Sequence, residues 1–310
     1  MSILFYCEND DDRLIEQGLS KKLPDEQLHA YPHCPNPAAI EYAVVWQPPA
    51  DFFDGLTGLK AIFSLAAGVD HLLNHPSLPQ DVPLVRLQDA GMGEKMAEYV
   101  LYGVLHAQRR MTEYALHQRA EQWAHDPVGF DAGDCRVGIL GLGTLGQIVA
   151  RRLLDNGYAV SGWSRTEKKM DGVDCFHGSS GQHTVVSSAD VLVCLLPLTD
   201  MTRGVLNQAL FRQCKPGVFI INLARGGHLV QDDLIASLDE GQVSGALLDV
   251  TDPEPLPAGN PLWQHPRVII TPHVAGPTQE KESIDQVAAN IKRHRQGESM
   301  SGIVDRSSGY

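Results

Sequence analysis

Residues 137–153 read "VGILGLGTLGQIVARRL", and the fold turns on this stretch. An apolar run at 135–140 leads directly into Gly141-x-Gly143-x-x-Gly146, and an amphipathic segment follows from Thr144 to Asn156. Glycines at that spacing also occur in turns with no ligand. Here the context narrows the reading: strand, glycine turn, helix, then a second apolar run ("YAVSGW", 158–163) at the length of one βαβ unit. Each glycine has its own task. Gly141 permits the tight turn, Gly143 lets backbone approach a pyrophosphate, and Gly146 lets helix and strand pack closely. The amides of Thr144 and Leu145 then face the phosphates from the positive end of the helix. The stretch predicts a dinucleotide-binding fold.

Working outward, four more apolar runs read as strands: "VLVCLLP" (191–197), "VFIINLA" (218–224), "VSGALLDV" (243–250) and "RVIITPH" (267–273). Helices are expected between them near 204–213 and 231–240. Upstream, strands are expected at 2–7, 42–46 and 60–65, with helical segments near 10–22 and 69–74. One long helix is expected from Gly93 to Met111, with Gly103 as its only break, and another after Pro277 to about Arg295. Strands alternating with helices predict an α/β protein of two βα domains. The expected division is a Rossmann-type dinucleotide-binding domain over 99–275 and a flavodoxin-like substrate domain over 1–98 plus 276–310, with a cleft between them.

The bulk numbers agree with a globular protein. The 310 residues suffice for two domains, and 43% hydrophobic with 20% charged argues against disorder. A net charge of -13 argues against nucleic acid as a partner, because phosphate backbones need clustered Lys and Arg. The first residues, "MSILFYCENDDD", lack a basic region before the apolar run and read as a strand rather than a signal peptide. No run is long enough to span a membrane. Six cysteines are scattered without a C-x-x-C pair, which suits free thiols in the cytoplasm. Among thirteen histidines, His29 and His33 lie near Cys34, and His71 and His75 are four apart. Neither group brings a second ligand cluster, so no metal is expected.

At the end of the second strand of such a fold, NAD-binding chains carry an acid for the ribose hydroxyls. This chain has "GWSRTEKK" (162–169) there. A carboxylate would repel a 2′-phosphate, whereas Ser164, Arg165, Thr166 and Lys168 offer hydroxyls and positive charge. The stretch could be a solvated basic loop. Read as a site, it prefers NADP(H) over NAD(H).

Ligands of open α/β sheets bind outside the carboxyl ends of the strands. Three strand ends carry Arg225, Glu254 (in "TDPEPLP", 251–257) and His273. Arg can clamp a carboxylate, His can move a proton near neutral pH, and a carboxylate can orient that His and favour its charged form. Singly, Arg225 could cap a helix, Glu254 could be an exposed turn residue, and His273 could be a core histidine. Together, after a dinucleotide turn, they make a chemically complete set.

These stretches resemble the D-2-hydroxyacid dehydrogenase family. The likeness runs through "GLGTLG" (141–146), "LLPLTDMTRGVLN" (195–207), "NLARGGHLVQDDLIASLDEGQVSGALLDV" (222–250), "DPEPLP" (252–257) and "TPHVAG" (271–276). "LAAGVDHL" (65–72), "DAGMGEKMAEYVL" (89–101) and "VDRSSGY" (304–310) resemble its glyoxylate/hydroxypyruvate reductase A branch. The resemblance implies Arg225 as the substrate-binding residue, Glu254 as partner of the histidine, and His273 as acid/base. It implies that the amides of Ala67 and Gly68 receive the substrate carboxylate and that Asp249 holds the nicotinamide carboxamide. Leu196 and Pro197 join the cofactor site, Trp46 the substrate site, and Met92 and Met96 are further candidates for lining the pocket. Ser164 departs from the acid of NAD-using members, as NADP-preferring reductases also do.

The implied reaction is reduction of a small 2-oxoacid by NADPH: glyoxylate to glycolate, or hydroxypyruvate to D-glycerate. Another dehydrogenase of the family, acting for instance on 3-phosphoglycerate, and a non-catalytic sensor like the corepressors that share the fold remain as alternatives. The helix from Gly93 and the connector with Trp123 and Phe130 suggest a homodimer, or else a connector packed within one chain.

Overall fold

The computed structural model describes residues 2–7, 12–125, 129 and 131–309. The chain divides into two compact units, Met1–Gly91 with Thr278–Tyr310, and Met92–Pro277.

The first unit is built on β1 (Ser2–Cys7), α1 (Asp12–Lys22), β2 (Gln27–Ala30), β3 (Ile40–Trp46), β4 (Ala61–Ser64), α2 (Asp70–Leu73) and β5 (Leu84–Val85). Its sheet runs β2-β1-β3-β4-β5 with every pair parallel, the flavodoxin-type order. The central strands are apolar on both faces; Ala43, Val44, Val45 and Ile62 have no exposed surface at all. Parallel sheets bury both faces, so such strands read as unbroken apolar runs.

The second unit contains α3 (Met92–Gln108), α4 (Met111–Arg119), β6 (Arg136–Leu140), α5 (Thr144–Asp155), β7 (Ala159–Ser164), β8 (Val173–His177), α6 (Gly178–Ser188) and β9 (Val191–Cys194). It continues with α7 (Gln208–Phe211), β10 (Val218–Asn222), α8 (Gln231–Asp239), β11 (Val243–Leu248) and β12 (Val268–Ile270). The sheet order is β12-β11-β10-β9-β6-β7-β8, again all parallel. This is the Rossmann order with one added edge strand, and it reverses between β6 and β9. Side chains alternate across it with period two. Val191, Val193, Phe219, Ile221 and Leu247 join one core with α3 and α5. Leu192, Cys194, Ile220, Ala246 and Leu248 join the other, with α6 and α8.

Gly103 in α3 has a packing reason. A methyl group there would lie 2.7 Å from Ile221 Cδ1 and 2.8 Å from Leu247 Cδ2, so the helix rides close on β10 and β11. The single long helix expected to Met111 is two. α3 ends at Gln108, and Arg110 takes a left-handed conformation (φ 53°) before α4 starts. The expected boundary at 98/99 would cut α3. The helix belongs whole to the second unit because Met96, Ala97, Val100 and Val104 are core residues there.

The chain then returns to the first unit as α9 (Glu280–Arg295), which packs on α1. Ile303 bridges Val85 antiparallel, and Arg306 donates to the carbonyls of Pro79 and Val82. Among the described residues no helix is long and apolar enough to cross a membrane. No group of three His, Cys, Asp or Glu among them could hold a metal ion.

Candidate active site

The glycine turn sits at the strand-order reversal, between β6 and α5. Gly141 has φ 112°, and a Cβ there would also meet Leu195 O at 2.7 Å. A Cβ at Gly146 would lie 1.9 Å from Gly141 O. Gly143 differs from both: its φ is an ordinary -72°, and a Cβ would meet no atom within 4 Å. Neither backbone strain nor protein packing demands glycine at 143, and the open space there leaves room for a ligand to approach. No hydrogen bond within the protein takes up the amides of Thr144 and Leu145 among the described residues. They are the unfilled donors of a helix N-terminus, suited to phosphate oxygens. The turn thus fits the pyrophosphate of a dinucleotide.

β7 ends at Ser164, which is buried, and residues 165–169 are exposed. Ser164 Oγ donates to Thr166 O at 2.8 Å, so its proton closes the loop instead of facing outward. Arg165, Lys168 and Lys169 supply the exposed positive charge. Leu196 is buried beyond β9, and Pro197 follows it at half-burial.

Arg225 follows β10 in extended backbone, and Gly226 after it is forced by crowding, since a Cβ would lie 1.9 Å from Thr251 C. The carbonyl of Arg225 accepts from Asn222 Nδ2 at 3.0 Å and faces His228 Nδ1 at 3.0 Å. Glu254 lies beyond β11, and His273 beyond β12. His273 Nδ1 is 2.7 Å from Glu254 Oε1, with both side chains about two-fifths exposed. Nε2, across the ring, has no protein partner among the described residues. Burial pulls the Glu254 carboxyl upward, but the His273 hydrogen bond and charge, the Thr251 amide and the Arg225 charge outweigh it and hold the group below the ordinary glutamate range. One carboxylate thus feels both His273 and Arg225, and the three residues form one electrostatic group.

Asp249, 1% exposed, closes β11. Its Oδ1 accepts from Thr271 Oγ1 at 2.6 Å and Val274 N at 2.9 Å, and its Oδ2 from Ala275 N at 2.9 Å. A carboxylate has about four acceptor positions, so one remains for a carboxamide.

Ala67, Gly68 and Trp46 belong to the first unit. The amides of Ala67 and Gly68 bond no acceptor among its described residues. Trp46 ends β3 and meets the His71 ring edge-on, with centroids 4.8 Å apart. Met92 and Met96 are buried, and Met96 is part of the α3 core.

Two participants escaped sequence reasoning. His228 is fully buried, with Nε2 3.2 Å from Pro197 O and Nδ1 on Arg225 O, so it ties two loops of the site together. Its place three residues after Arg225 was the available signal. Tyr99, on α3, meets Thr271 Oγ1. In the sequence it is one residue of the long helix from Gly93 and of the stretch 89–101, with no signal of its own.

A dinucleotide turn at the reversal of a Rossmann sheet, with Arg, Glu and His gathered at three strand ends, defines a nicotinamide-dependent oxidoreductase of 2-hydroxyacids. Residues 101–275 match the model of the D-isomer specific 2-hydroxyacid dehydrogenase NAD-binding domain, and the chain belongs to that family. It is 43% identical over its whole length to glyoxylate/hydroxypyruvate reductase A of Photorhabdus laumondii, of which it covers 100%. Among solved structures it resembles a D-isomer specific 2-hydroxyacid dehydrogenase of Xanthobacter autotrophicus in complex with NADPH and MES, at 37% identity and TM-score 0.95, covering 100% of this chain and 99% of that one. It also resembles the NADPH-dependent glyoxylate/hydroxypyruvate reductase of Sinorhizobium meliloti in complex with NADP and sulfate, at 35% identity, TM-score 0.92 and the same coverage.

Proposed function

We propose that the protein uses NADPH to reduce small 2-oxoacids, glyoxylate to glycolate and hydroxypyruvate to D-glycerate. The observation that carries this reading is the 2.7 Å contact of His273 Nδ1 with Glu254 Oε1, in the electrostatic reach of Arg225. Full-length relatives named for this reaction support it.

When bound, NADPH supplies the hydride. The Arg225 guanidinium draws the substrate carboxylate and polarises the keto oxygen. His273, with one N–H directed at Glu254, gives the Nε2 proton to that oxygen as C2 is reduced. Glu254, held as a carboxylate, accepts from Nδ1 and orients the ring before and after the transfer. Solvent then restores the Nε2 proton. The free amides of Ala67 and Gly68 suit a carboxylate, and Trp46 limits the bulk of the substrate. Arg165, Thr166 and Lys168 take the 2′-phosphate, and Ser164 stands at the end of β7 where an acid would repel it.

The test is initial rates with glyoxylate and hydroxypyruvate, each with NADPH and NADH. Turnover of both acids with NADPH preferred is expected. Absence of turnover with either acid refutes the reaction, and equal use of NADH refutes the cofactor choice.

Oligomeric state and location complete the reading. The protein is a cytoplasmic homodimer formed through the second unit. Trp123 at 92% exposure, with exposed Tyr102, Leu105 and Met111 on α3 and α4, supports the contact, and six free cysteines support the compartment. Phe130, the other aromatic of the connector, lies outside the described residues. Sedimentation at micromolar concentration should give a dimer; a monomer refutes it.

A further inference from the structure

We propose that Tyr99 is a positioning residue, acting through Thr271 and Asp249 on the turn that carries His273. The proposal rests on the acid/base role read for His273 above.

The turn needs holding. His273 has φ 54°, a left-handed conformation that costs a residue with a Cβ about 1 kcal/mol. Asp249 grips it from both sides. Its carbonyl accepts from His273 N at 2.8 Å, and its carboxylate takes the hydroxyl of Thr271 and the amides of Val274 and Ala275. Two of these four bonds come from residues immediately beside or at the histidine, one to the Asp249 carbonyl and one to its carboxylate, so the backbone that carries the imidazole is tied to Asp249.

The direction of the remaining hydrogen bonds is fixed by proton count. Thr271 has one hydroxyl proton, and it goes to Asp249 Oδ1. Its oxygen is then an acceptor for the Tyr99 hydroxyl. Burial pushes the Tyr99 phenol above its ordinary range, against the opposing pull of the Thr271 bond, and the Asp249 charge adds to the rise. The phenol therefore stays a donor. The chain Tyr99 to Thr271 to Asp249 is unidirectional and ends on a buried carboxylate, the arrangement in which hydrogen bonds reinforce one another. Without the phenol proton, Thr271 loses the partner that sets its rotamer, and the brace on the turn slackens.

Tyr99→Phe keeps the ring and removes only the donor. It should lower kcat about three- to tenfold and leave the Kd for NADPH within about twofold, as loss of one ordinary hydrogen bond implies. Thr271→Ser retains the hydroxyl and should restore most of the activity that Thr271→Val loses. The double variant Y99F/T271V should be no slower than T271V alone, because both changes break one chain. Histidine-selective 1H–15N spectra give a readout independent of substrate: the His273 ring signals should shift in Y99F. Wild-type kcat in Y99F, multiplicative losses in the double variant, or unchanged His273 signals overturn the proposal. If the wild-type protein reduces no 2-oxoacid, the proposed function fails, and the His273 spectra still decide whether Tyr99 positions the ring.

Discussion

Gly143→Ala separates ligand approach from protein stability. The added methyl meets no protein atom within 4 Å, and φ at -72° is one that alanine adopts freely. Alanine is a poorer N-cap than glycine, but it also lowers the entropy of the unfolded chain by about 0.4–1 kcal/mol. The two effects oppose each other, so the stability should stay within roughly 0.5 kcal/mol and Tm within about 2 °C. Binding should respond differently. A phosphate oxygen bonded to the turn amides lies about 2.9 Å from nitrogen, and a methyl in the same space pushes it outward by roughly an ångström, past the limit of a hydrogen bond. Loss of one charge-assisted bond is about 2–3 kcal/mol, or roughly 30- to 150-fold in Kd for NADPH. Calorimetric titration with NADPH, beside a thermal melt of the free protein, measures both. Unchanged affinity with unchanged Tm refutes the pyrophosphate reading of the turn, and a collapse of Tm refutes the open space at 143. Gly146→Ala, at 1.9 Å from Gly141 O, supplies the contrast and should unfold or aggregate.

Glu254→Gln should cut kcat about 10- to 100-fold with NADPH affinity intact, read by steady-state kinetics and titration. Its pH signature follows from the lowered carboxyl. The stability from the His273 pair is present above the ordinary glutamate range and is lost as pH falls through the folded value. The gap in stability between wild type and E254Q should therefore close in acid, and a gap that widens there contradicts the pairing. Ser164→Asp restores the acid at the end of β7 and should lower the NADPH/NADH ratio of kcat/KM at least tenfold; an unaltered ratio removes Ser164 from the specificity argument. Gly103→Ala forces a methyl against Ile221 and Leu247 and should cost about 1–3 kcal/mol in a denaturant titration, with no effect on the ratio of the two cofactors.

Most strands legible in the sequence were those covered on both faces; β12, an edge strand, was legible by its apolar run alone. "VLVCLLP", "VFIINLA" and "VSGALLDV" form the middle of the second sheet, and helices on each side leave them few polar positions. The strands that went unread, β2, β5 and β8, are all at sheet edges. An edge strand packs less of its surface; β8, "VDCFH", buries no side chain fully, and its pattern carries little signal. The site divides in the same way. Glycines, Arg225, Glu254 and His273 stand at strand ends, where the fold announces function. Tyr99 and Thr271 are 172 residues apart, and no local pattern joins a phenol in a helix to a threonine in a turn. The Ser164 hydroxyl donates to Thr166 O and closes its own loop, a detail of rotamer that composition does not carry.

The order of the chain has a consequence for its synthesis. The first unit opens at the N-terminus but is completed only by α9 and the tail that pairs with β5. Residues 92–277 leave the ribosome as a full unit before α9 exists. The nascent protein therefore carries an unfinished N-terminal sheet, with the apolar side of α1 uncovered, while its nucleotide-binding half is already able to fold. Protease digestion of ribosome-arrested chains should find the second unit protected first, and protection of the first unit arriving only once α9 has emerged. A C-terminal tag or truncation is thus a perturbation of β5 and its approach loop, far away in sequence, and not of the nearest residues alone.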